Sequence, residues 1–224
     1  MGGRVDGVFG DDTKAAVLKF NKIFNLDGKG TFDEESWEVL EFLQKEGINK
    51  WGAPRGGFSH LGATHFPIPK RIDIRWKKKC EDVTNILLYR NVLLVTTPKS
   101  IRGYNLMGKR LWNNPNIFAQ ACPSLWGGEV YVPAGDLEVL NLYTGKRKRS
   151  IAMEELRSPI AIQGNTLYAP VGGNIYALNL VGKDRWTFKT PGAMVTSPTL
   201  AYDLIYFSSS DRYFYCIDGT GILN

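Results

Sequence analysis

The side chains that could bind a metal ion are few in this chain. His60 and His65 are its only histidines. Two imidazoles at this spacing could ligate zinc, but a zinc site needs a third protein ligand, and the sequence contains neither H-E-x-x-H nor C-x-x-C. We therefore expect structural or surface roles for both histidines and predict no metal site.

The side chains that could act as nucleophiles lack the neighbours that would activate them. Cys80, Cys122 and Cys216 are scattered and odd in number. Their spacing suits neither a metal site nor a disulfide framework, so small buried thiols are the better interpretation. No G-x-S-x-G segment is present, and no carboxylate pair stands out as an acid and base. The sequence predicts no catalytic residue.

Basic side chains are concentrated in the larger, C-terminal part of the chain. Residues 1–50 hold 7 Lys or Arg against 10 Asp or Glu, whereas residues 51–224 hold 21 against 12. The basic runs Lys77–Lys79 and Lys146–Arg149 could contact phosphates. Single-stranded nucleic acid also needs a groove with stacking aromatic side chains, and the sequence places none. We expect solvent-exposed basic surfaces and no nucleic-acid partner.

No stretch of the sequence has the length and apolar composition of a membrane-spanning helix. The best apolar segment, Ile86–Val95, is too short and is interrupted by Arg90 and Asn91. The sequence predicts no membrane span.

Two short helices must position any site within residues 1–46. Asp11, Asp12 and Thr13 suit a helix start, and apolar residues then recur at helical spacing at Ala16, Val17, Phe20 and Phe24. A second helix is expected between Asp33 and Gly47, with Trp37 on its apolar face. Residues 47–70 contain eight Gly or Pro residues, which is typical of a linker.

Residues 71–224 carry a repeat instead of a helical pattern. Aromatic and β-branched runs alternate with turns, and the turns begin with an Asn or Asp at positions 36, 38 and 39 apart: Asn105, Asn141, Asn179 and Asp218. A second marker, a small residue followed by proline, keeps nearly the same period at Cys122-Pro123, Ser158-Pro159 and Ser197-Pro198. Two markers in phase at a period near forty predict stacked four-stranded blades of a β-propeller.

A tryptophan recurs at a fixed point in this repeat. Trp76 and Trp112 are 36 residues apart, and Trp186 lies two periods beyond Trp112. A large side chain at this point is expected to fill the seam between neighbouring blades. The second unit departs from the pattern, because Arg149 stands where tryptophan is expected.

The repeat resembles the pyrroloquinoline-quinone-like repeat family. The third unit carries the likeness best, with Ser158-Pro159, then Ile175-Tyr176-Ala177-Leu178-Asn179, then Gly182-Lys183 and Trp186. The resemblance implies a propeller over residues 71–224. In dehydrogenases with this repeat, the quinone and calcium lie on the axis of a complete eight-bladed ring. Four partial units do not provide that arrangement, so we expect no cofactor.

The first part resembles the small peptidoglycan-binding domain of wall hydrolases and envelope proteins. The likeness rests on Asp6-Gly7-Val8-Phe9-Gly10, on Leu26-Asp27-Gly28 and on Ser36-Trp37-Glu38-Val39-Leu40. It implies ligand contacts in the two loops beside the helices, for which the candidates are Phe9, Asp11, Asp12, Asn25, Asp27 and Phe32. The alternative is that Phe9, Phe20, Phe32 and Trp37 form the hydrophobic core. The family's first helix and a signal peptide are both missing, which is the pattern expected of a fragment.

These observations predict a mainly β protein with a small α domain. We expect a helical peptidoglycan-binding-like domain at 1–46, a linker at 47–70 and a partial propeller of three to four four-stranded blades at 71–224. The open arc would leave sheet edges that favour self-association. The expected function is a non-catalytic protein of the cell envelope, periplasmic or extracellular, that binds peptidoglycan and other envelope proteins. A fragment of a quinoprotein dehydrogenase or wall hydrolase, and an adhesion module, are the alternatives.

Overall fold

The computed structural model describes residues 10–24, 31–32, 36–37, 50–51, 73–193, 196–201 and 203–219. Helix α1 (Asp11–Phe24) begins where the sequence predicts, and the Lys14 amide donates its first hydrogen bond to the Gly10 carbonyl at 2.9 Å. Val17 is buried on its apolar face. Residues 36 and 37 are helical, whereas the rest of the second predicted helix lies outside the described residues. No helix in the described ranges is long and apolar enough to cross a membrane.

The first sheet is antiparallel, with its strands in chain order. Its five strands are β1 (Lys50–Trp51), β2 (Asn85–Tyr89), β3 (Val92–Thr97), β4 (Ser100–Asn105) and β5 (Arg110–Asn114). Strands β2–β5 form the four-stranded unit that the repeat predicts, and β1 adds a short fifth strand beside β2. The segment 73–79 precedes β2, carries Trp76 and belongs to no strand.

The second sheet consists of β6 (Ser124–Trp126), β7 (Glu129–Asn141) and β8 (Arg147–Leu156). A straight strand with the 13 residues of β7 would extend over about 40 Å. Instead, the Leu142 amide donates to the Gly128 carbonyl at 3.0 Å, so the two ends of β7 lie side by side. The chain turns back at Gly135, whose φ of +91° suits glycine. The halves of β7 therefore occupy the second and third places of a four-stranded unit.

The third and fourth sheets differ in their number of strands. The third contains β9 (Ala161–Gln163), β10 (Thr166–Val171), β11 (Asn174–Asn179) and β12 (Asp184–Lys189). The fourth contains β13 (Thr199–Ala201), β14 (Leu204–Ser208) and β15 (Phe214–Asp218). Within the described residues, which end at Gly219, β15 pairs with β14 alone, and the place of a fourth strand after the turn at Asp218 lies outside them.

Three hydrophobic clusters hold the four sheets together, one between each pair of neighbours. Leu94 and Leu140 lie in the first cluster, between the first and second sheets. Leu137 and Leu167 lie in the second cluster. Ile175 and Phe207 join the third sheet to the fourth. Each sheet therefore buries one face against each sheet that neighbours it, as stacked blades must.

The sheets form an open arc, as the sequence predicts. The inner strands contact one another in succession, β2 with β6, β6 with β9 and β9 with β13. No comparable contact joins β13 back to β2 among the described residues. The architecture is a partial β-propeller of four blades.

Candidate functional site

The repeated turns have a common geometry that explains their sequence. In the first and third units, the amides of Gly108 and Gly182 donate to the carbonyls of Asn105 and Asn179 at 3.0 Å. Both glycines have positive φ, +77° and +97°, which side-chain-bearing residues rarely adopt. The third residue after the asparagine is therefore a left-handed glycine in both turns.

The asparagine side chains stabilise these turns from within. The Asn105 side-chain oxygen accepts the Lys109 amide at 2.8 Å, and that of Asn179 accepts the Lys183 amide at 2.9 Å. The Asn141 oxygen accepts the amides of Tyr143 and Thr144, both at 2.9 Å. An asparagine that satisfies amides in this way is a structural residue of the turn.

The tryptophans lie in the seams between blades. The indole Nε1 of Trp112 donates to the Leu142 carbonyl of the next blade at 2.8 Å, and Trp112 is buried. Trp186 donates in the same way to the Gly219 carbonyl at 2.7 Å. Both acceptors directly follow the Asn or Asp that opens the turn. Each of these two indoles therefore bridges its own blade to the turn of the next.

Trp76 makes the same contact although its segment belongs to no sheet. Its indole donates to the Leu106 carbonyl at 2.8 Å, and Leu106 also directly follows the turn asparagine. The ring lies against Gly108, where an added Cβ would come within 2.9 Å of Cδ2. Lys78 supports the contact by donating to the Gly108 carbonyl at 2.7 Å. The 73–79 segment thus docks on the first sheet as the outer strand of a preceding blade would.

Arg149 replaces the tryptophan in the seam between the second and third sheets. Its Nη2 donates to the Leu180 carbonyl at 2.6 Å, so the cross-blade hydrogen bond is kept with a different donor. The same guanidinium forms a bidentate pair with Glu129, at 3.0 and 2.6 Å. The Tyr131 hydroxyl donates to Glu129 at 2.8 Å, and Lys148 also pairs with this carboxylate. The carboxylate therefore neutralises the charge that the substitution brings into the seam.

Hydrogen bonds to the Glu129 carboxylate determine how this cluster ionises. Burial by itself raises the pKa of Glu129, but hydrogen bonds from Arg149, Lys148 and Tyr131 outweigh it and lower this pKa to about 2. Burial and the hydrogen bond to Glu129 raise the pKa of Tyr131 well above its ordinary value. A carboxylate with so low a pKa is a weak general base at neutral pH, so the cluster is suited to a structural role.

Glu129 was not identified from the sequence, although a signal exists. Glu129 is the first residue of β7, 12 residues before the turn asparagine of its unit. The equivalent first residues of β3 and β10 are Val92 and Thr166, each 13 residues before Asn105 and Asn179. An acidic residue at this place therefore occurs only in the unit that has lost its tryptophan. Two departures in one unit indicate a compensating pair.

The basic runs are only partly free surfaces. Arg147 lies 3.4 Å from the Glu138 carboxylate, and Lys148 and Arg149 both pair with Glu129. We expected the second run, Lys146–Arg149, to be a solvated face. Three of its four cations instead form ion pairs within their own sheet. Lys77–Lys79 belong to the docked 73–79 segment.

The candidate ligand residues of the first 46 residues are only partly described. Asp11 is exposed at the start of α1. The Phe32 ring lies 5.2 Å from that of Phe20 and 4.9 Å from that of Trp37, between centroids. Its ring contacts suit the alternative expectation of a core role. Phe9, Asn25 and Asp27, and the side chain of Asp12, lie outside the described residues.

Polar contacts join the helical pieces of this region. The Asn21 side-chain amide donates to the Thr31 carbonyl at 3.0 Å, and the Ser36 hydroxyl donates to the Asn21 side-chain oxygen at 3.0 Å. Asn21 and Ser36 are buried. Trp37, expected in the core, contacts Phe32 but is 56% exposed.

The residues considered for metal or thiol chemistry do not come together where the structure describes them. All three cysteines are free and half-buried, so the expectation of buried thiols is met only in part. Burial raises the pKa of the Cys122 thiol to about 11, which disfavours the nucleophilic thiolate. No group of three His, Cys, Asp or Glu residues in the described ranges could hold a metal ion. His60 and His65 lie outside those ranges.

Solved structures share the propeller arc, whereas no family model and no curated protein matches the chain. BamB from Moraxella catarrhalis is 18% identical with a TM-score of 0.51, over 59% of this chain and 48% of that one. Quinohemoprotein alcohol dehydrogenase from Comamonas testosteroni is 14% identical with a TM-score of 0.59, over 88% and 39%. The computationally designed Ika4 protein is 12% identical with a TM-score of 0.52, over 63% and 94%. The chain spans less than half of either natural structure, and the likeness shows a propeller fold.

Proposed function

We propose that this chain is a non-catalytic scaffold of the cell envelope. The helical region tethers the chain to peptidoglycan, and the propeller arc presents a rigid surface to other envelope proteins. The supporting observation is that the repeat asparagines, tryptophans and Arg149 build turns and seams, which leaves the turn tips for contacts with partners.

The turn tips carry an apolar stripe along one edge of the arc. The second residue after each turn asparagine is Met107, Tyr143 or Val181 in successive sheets. Met107 is 50% exposed and Val181 is 69% exposed, whereas Tyr143 is half-buried. Apolar side chains held at fixed spacing on rigid turns suit a protein partner better than a small molecule.

Photo-crosslinking tests the scaffold role. A photoreactive side chain at Val181 is expected to capture a discrete envelope protein in cells, whereas the same group at the exposed Lys146 should capture none. Val181→Asp in the otherwise unchanged protein should reduce capture from Met107 about tenfold. Equal labelling from Val181 and Lys146 would count against this surface.

Sedimentation with purified peptidoglycan sacculi tests the tethering role. The full chain is expected to pellet with sacculi, and the pair Asp11→Ala with Asp27→Ala should weaken retention at least tenfold, because each carboxylate is a proposed hydrogen-bond acceptor. Glu81→Ala with Asp184→Ala is the control, since it removes the same charge from the propeller. A full chain that stays in the supernatant would exclude the tether.

An enzyme fragment is the second candidate, and the structural likeness to a quinohemoprotein dehydrogenase over 88% of this chain favours it. Such a cofactor needs calcium, which binds six to eight oxygen ligands. In the described ranges, no three His, Cys, Asp or Glu side chains come together as a metal site. Dye-linked alcohol oxidation by the chain with added pyrroloquinoline quinone and calcium would support the dehydrogenase. Muralytic activity would support a wall hydrolase, and we expect neither activity.

A further inference from the structure

Arg90 is a half-buried cation that forms no ion pair within the part of the chain that the structure describes. Its Cζ lies 5.7 Å from the ring centroid of the buried Tyr89, and its Nη1 donates to the Tyr143 hydroxyl at 3.4 Å. Its Nε is buried and has no hydrogen-bond partner. In the next seam, by contrast, Arg149 pairs with Glu129. A guanidinium that has lost water without gaining an anion is costly to bury, which favours the binding of an anion beside Arg90.

The repeat does not require an arginine at this place. Arg90 is the first residue of the turn between β2 and β3, with a φ of +56°. The equivalent turn residues of the second and third sheets are Gly127 and Gly164, with φ values of +59° and +58°. Glycine accepts this backbone conformation, whereas it is disfavoured for arginine. In the next seam, the places of Arg90 and Tyr143 hold Gly127 and Val181. The Arg90 and Tyr143 pair is therefore an addition to the fold.

Tyr143 places a second hydrogen-bond donor beside the guanidinium. Its hydroxyl oxygen accepts from Arg90, so its own proton remains available to an acceptor. Burial raises the pKa of Tyr143, which keeps the hydroxyl protonated at neutral pH. The Asn141 side-chain oxygen holds the Tyr143 amide at 2.9 Å, and an added Cβ at Gly128 would lie 3.5 Å from Cε2 of the ring. The two donors are thus held in place before any ligand binds, which lowers the entropic cost of binding.

We propose that Arg90 and Tyr143 form a binding site for a carboxylate of a protein partner, either an acidic side chain or a C-terminal carboxylate. A guanidinium matches a carboxylate with two parallel hydrogen bonds. One cation neutralises the single charge of a carboxylate, whereas a phosphate group carries nearly two charges at neutral pH. Tyr143 also belongs to the apolar stripe of the turn tips, so a protein that covers the stripe reaches Arg90. The inference rests on the proposed scaffold role for its partner.

Titration of the full chain with small probes tests the carboxylate chemistry without a partner. N-acetyl-leucine offers a C-terminal carboxylate, the α-amide of N-acetylglutamate offers a side-chain carboxylate, and N-acetyl-leucine amide is the neutral control. The backbone amides of Asn91 and Thr144 are followed by NMR at constant ionic strength. A carboxylate probe is expected to give saturable shifts with an affinity about tenfold or more above that of the neutral amide. The tighter carboxylate probe identifies the source. Equal binding of the neutral amide, or tighter binding of inorganic phosphate, would overturn the proposal.

Three variants separate binding from folding. Arg90→Gly introduces the residue that two other units have at this place, so it should keep the melting temperature of the unchanged chain and weaken carboxylate binding about tenfold or more. Tyr143→Phe keeps the ring and should weaken binding about fivefold. Lys99→Gln is the control, because it removes an exposed cation beyond the other end of β3 and should leave the affinity unchanged. A strongly destabilised Arg90→Gly chain would assign Arg90 to the fold, and an Arg90→Gly chain with unchanged affinity would exclude the site.

Photo-crosslinking in cells tests whether the carboxylate belongs to the proposed partner. With the photoreactive group at Val181, Arg90→Gly should reduce capture of the envelope protein about tenfold, whereas Lys99→Gln should not change it. Undiminished capture by the Arg90→Gly chain would refute the protein source of the carboxylate and leave the scaffold role intact. Absence of capture by the otherwise unchanged chain would refute both, whereas the probe titration would still decide whether Arg90 and Tyr143 bind carboxylates.

Discussion

The seam between the first and second sheets can be compared with the seam between the second and third. Trp112 fills the first seam with a buried indole that lies against Gly145 and donates to the Leu142 carbonyl. Arg149 donates to the equivalent Leu180 carbonyl in the second seam, but it brings a charge and lies against Glu129. Ile151 takes the place of the ring over the turn glycine, since a Cβ at Gly182 would meet it at 2.8 Å.

The difference shows which part of the seam is fixed and which part can change. The acceptor carbonyl is retained in both seams. In the first seam Trp112 is both the hydrogen-bond donor and the apolar cover of the turn glycine. In the second seam Arg149 is the donor and Ile151 is the cover. The first seam gains its stability from apolar burial, which changes little with pH. The second depends on a partly buried ion pair, which offsets the cost of desolvation only while both charges are present.

Trp112→Ala should have the largest effect on stability. It removes a buried aromatic side chain together with its cross-blade hydrogen bond, so we expect a loss of about 3–5 kcal/mol in the free energy of unfolding. Denaturant titration followed by circular dichroism measures it. If Arg149→Ala costs as much as Trp112→Ala, the view that the first seam depends more on burial is wrong.

Gly145→Ala should come next. An added Cβ would lie 2.5 Å from Cδ2 of Trp112, and the residue has a φ of +66°. Strain and displacement of the ring together should cost about 2–4 kcal/mol in the free energy of unfolding. Gly164→Ala is the matched control, because its φ is +58° with no atom within 4 Å of the added Cβ. It should cost only about 1–2 kcal/mol, the backbone part of the effect.

Glu129→Ala and Arg149→Ala should be strongly coupled. Each single change leaves one charge without its main partner, and a hydrogen bond to a charged group contributes about 1.5–3 kcal/mol. The double variant should therefore lose about 1–3 kcal/mol less than the sum of the two single variants. A double-mutant cycle of unfolding free energies measures this difference. Additive losses would mean that the pair does not act as a unit.

Acid should weaken the second seam alone, and this is the smallest effect. The pKa of Glu129 is lowered from 4.5 to about 2, so its contribution to stability is full above pH 4.5 and is lost as the pH falls towards 2. Glu129→Gln should flatten this part of the pH dependence of the unfolding free energy. Glu81→Gln removes the same charge from an exposed site and should leave the slope unchanged. A slope that persists in Glu129→Gln would assign the acid sensitivity to other carboxylates.

Much of the propeller could be predicted because its repeat is set by local chemistry. The turns need asparagine and a left-handed glycine, and the seams need a large donor, so Asn105, Gly108 and Trp112 are visible in the sequence. The Arg149 contact with Glu129 joins β8 to the start of β7, and a pair that occurs in one unit leaves no period to detect.

The candidate ligand site was less predictable for a physical reason. A phenylalanine in a small helical domain can serve either a ligand groove or a core, and the sequence pattern is the same for both. Phe32 contacts Phe20 and Trp37, which agrees with a core role. The exposure of Trp37 was not visible either, because it depends on tertiary contacts.

Arg149 and Glu129 both belong to the second sheet, and the group they serve is a main-chain carbonyl of the next one. Both side chains of this contact therefore come from the second unit, and the third unit supplies only main-chain atoms to it. Since a turn of the common form offers the same carbonyl in every unit, the second unit could be followed by any of the others. Duplication or exchange of single units within a gene would preserve this joint, whereas a breakpoint between residues 129 and 149 would destroy it.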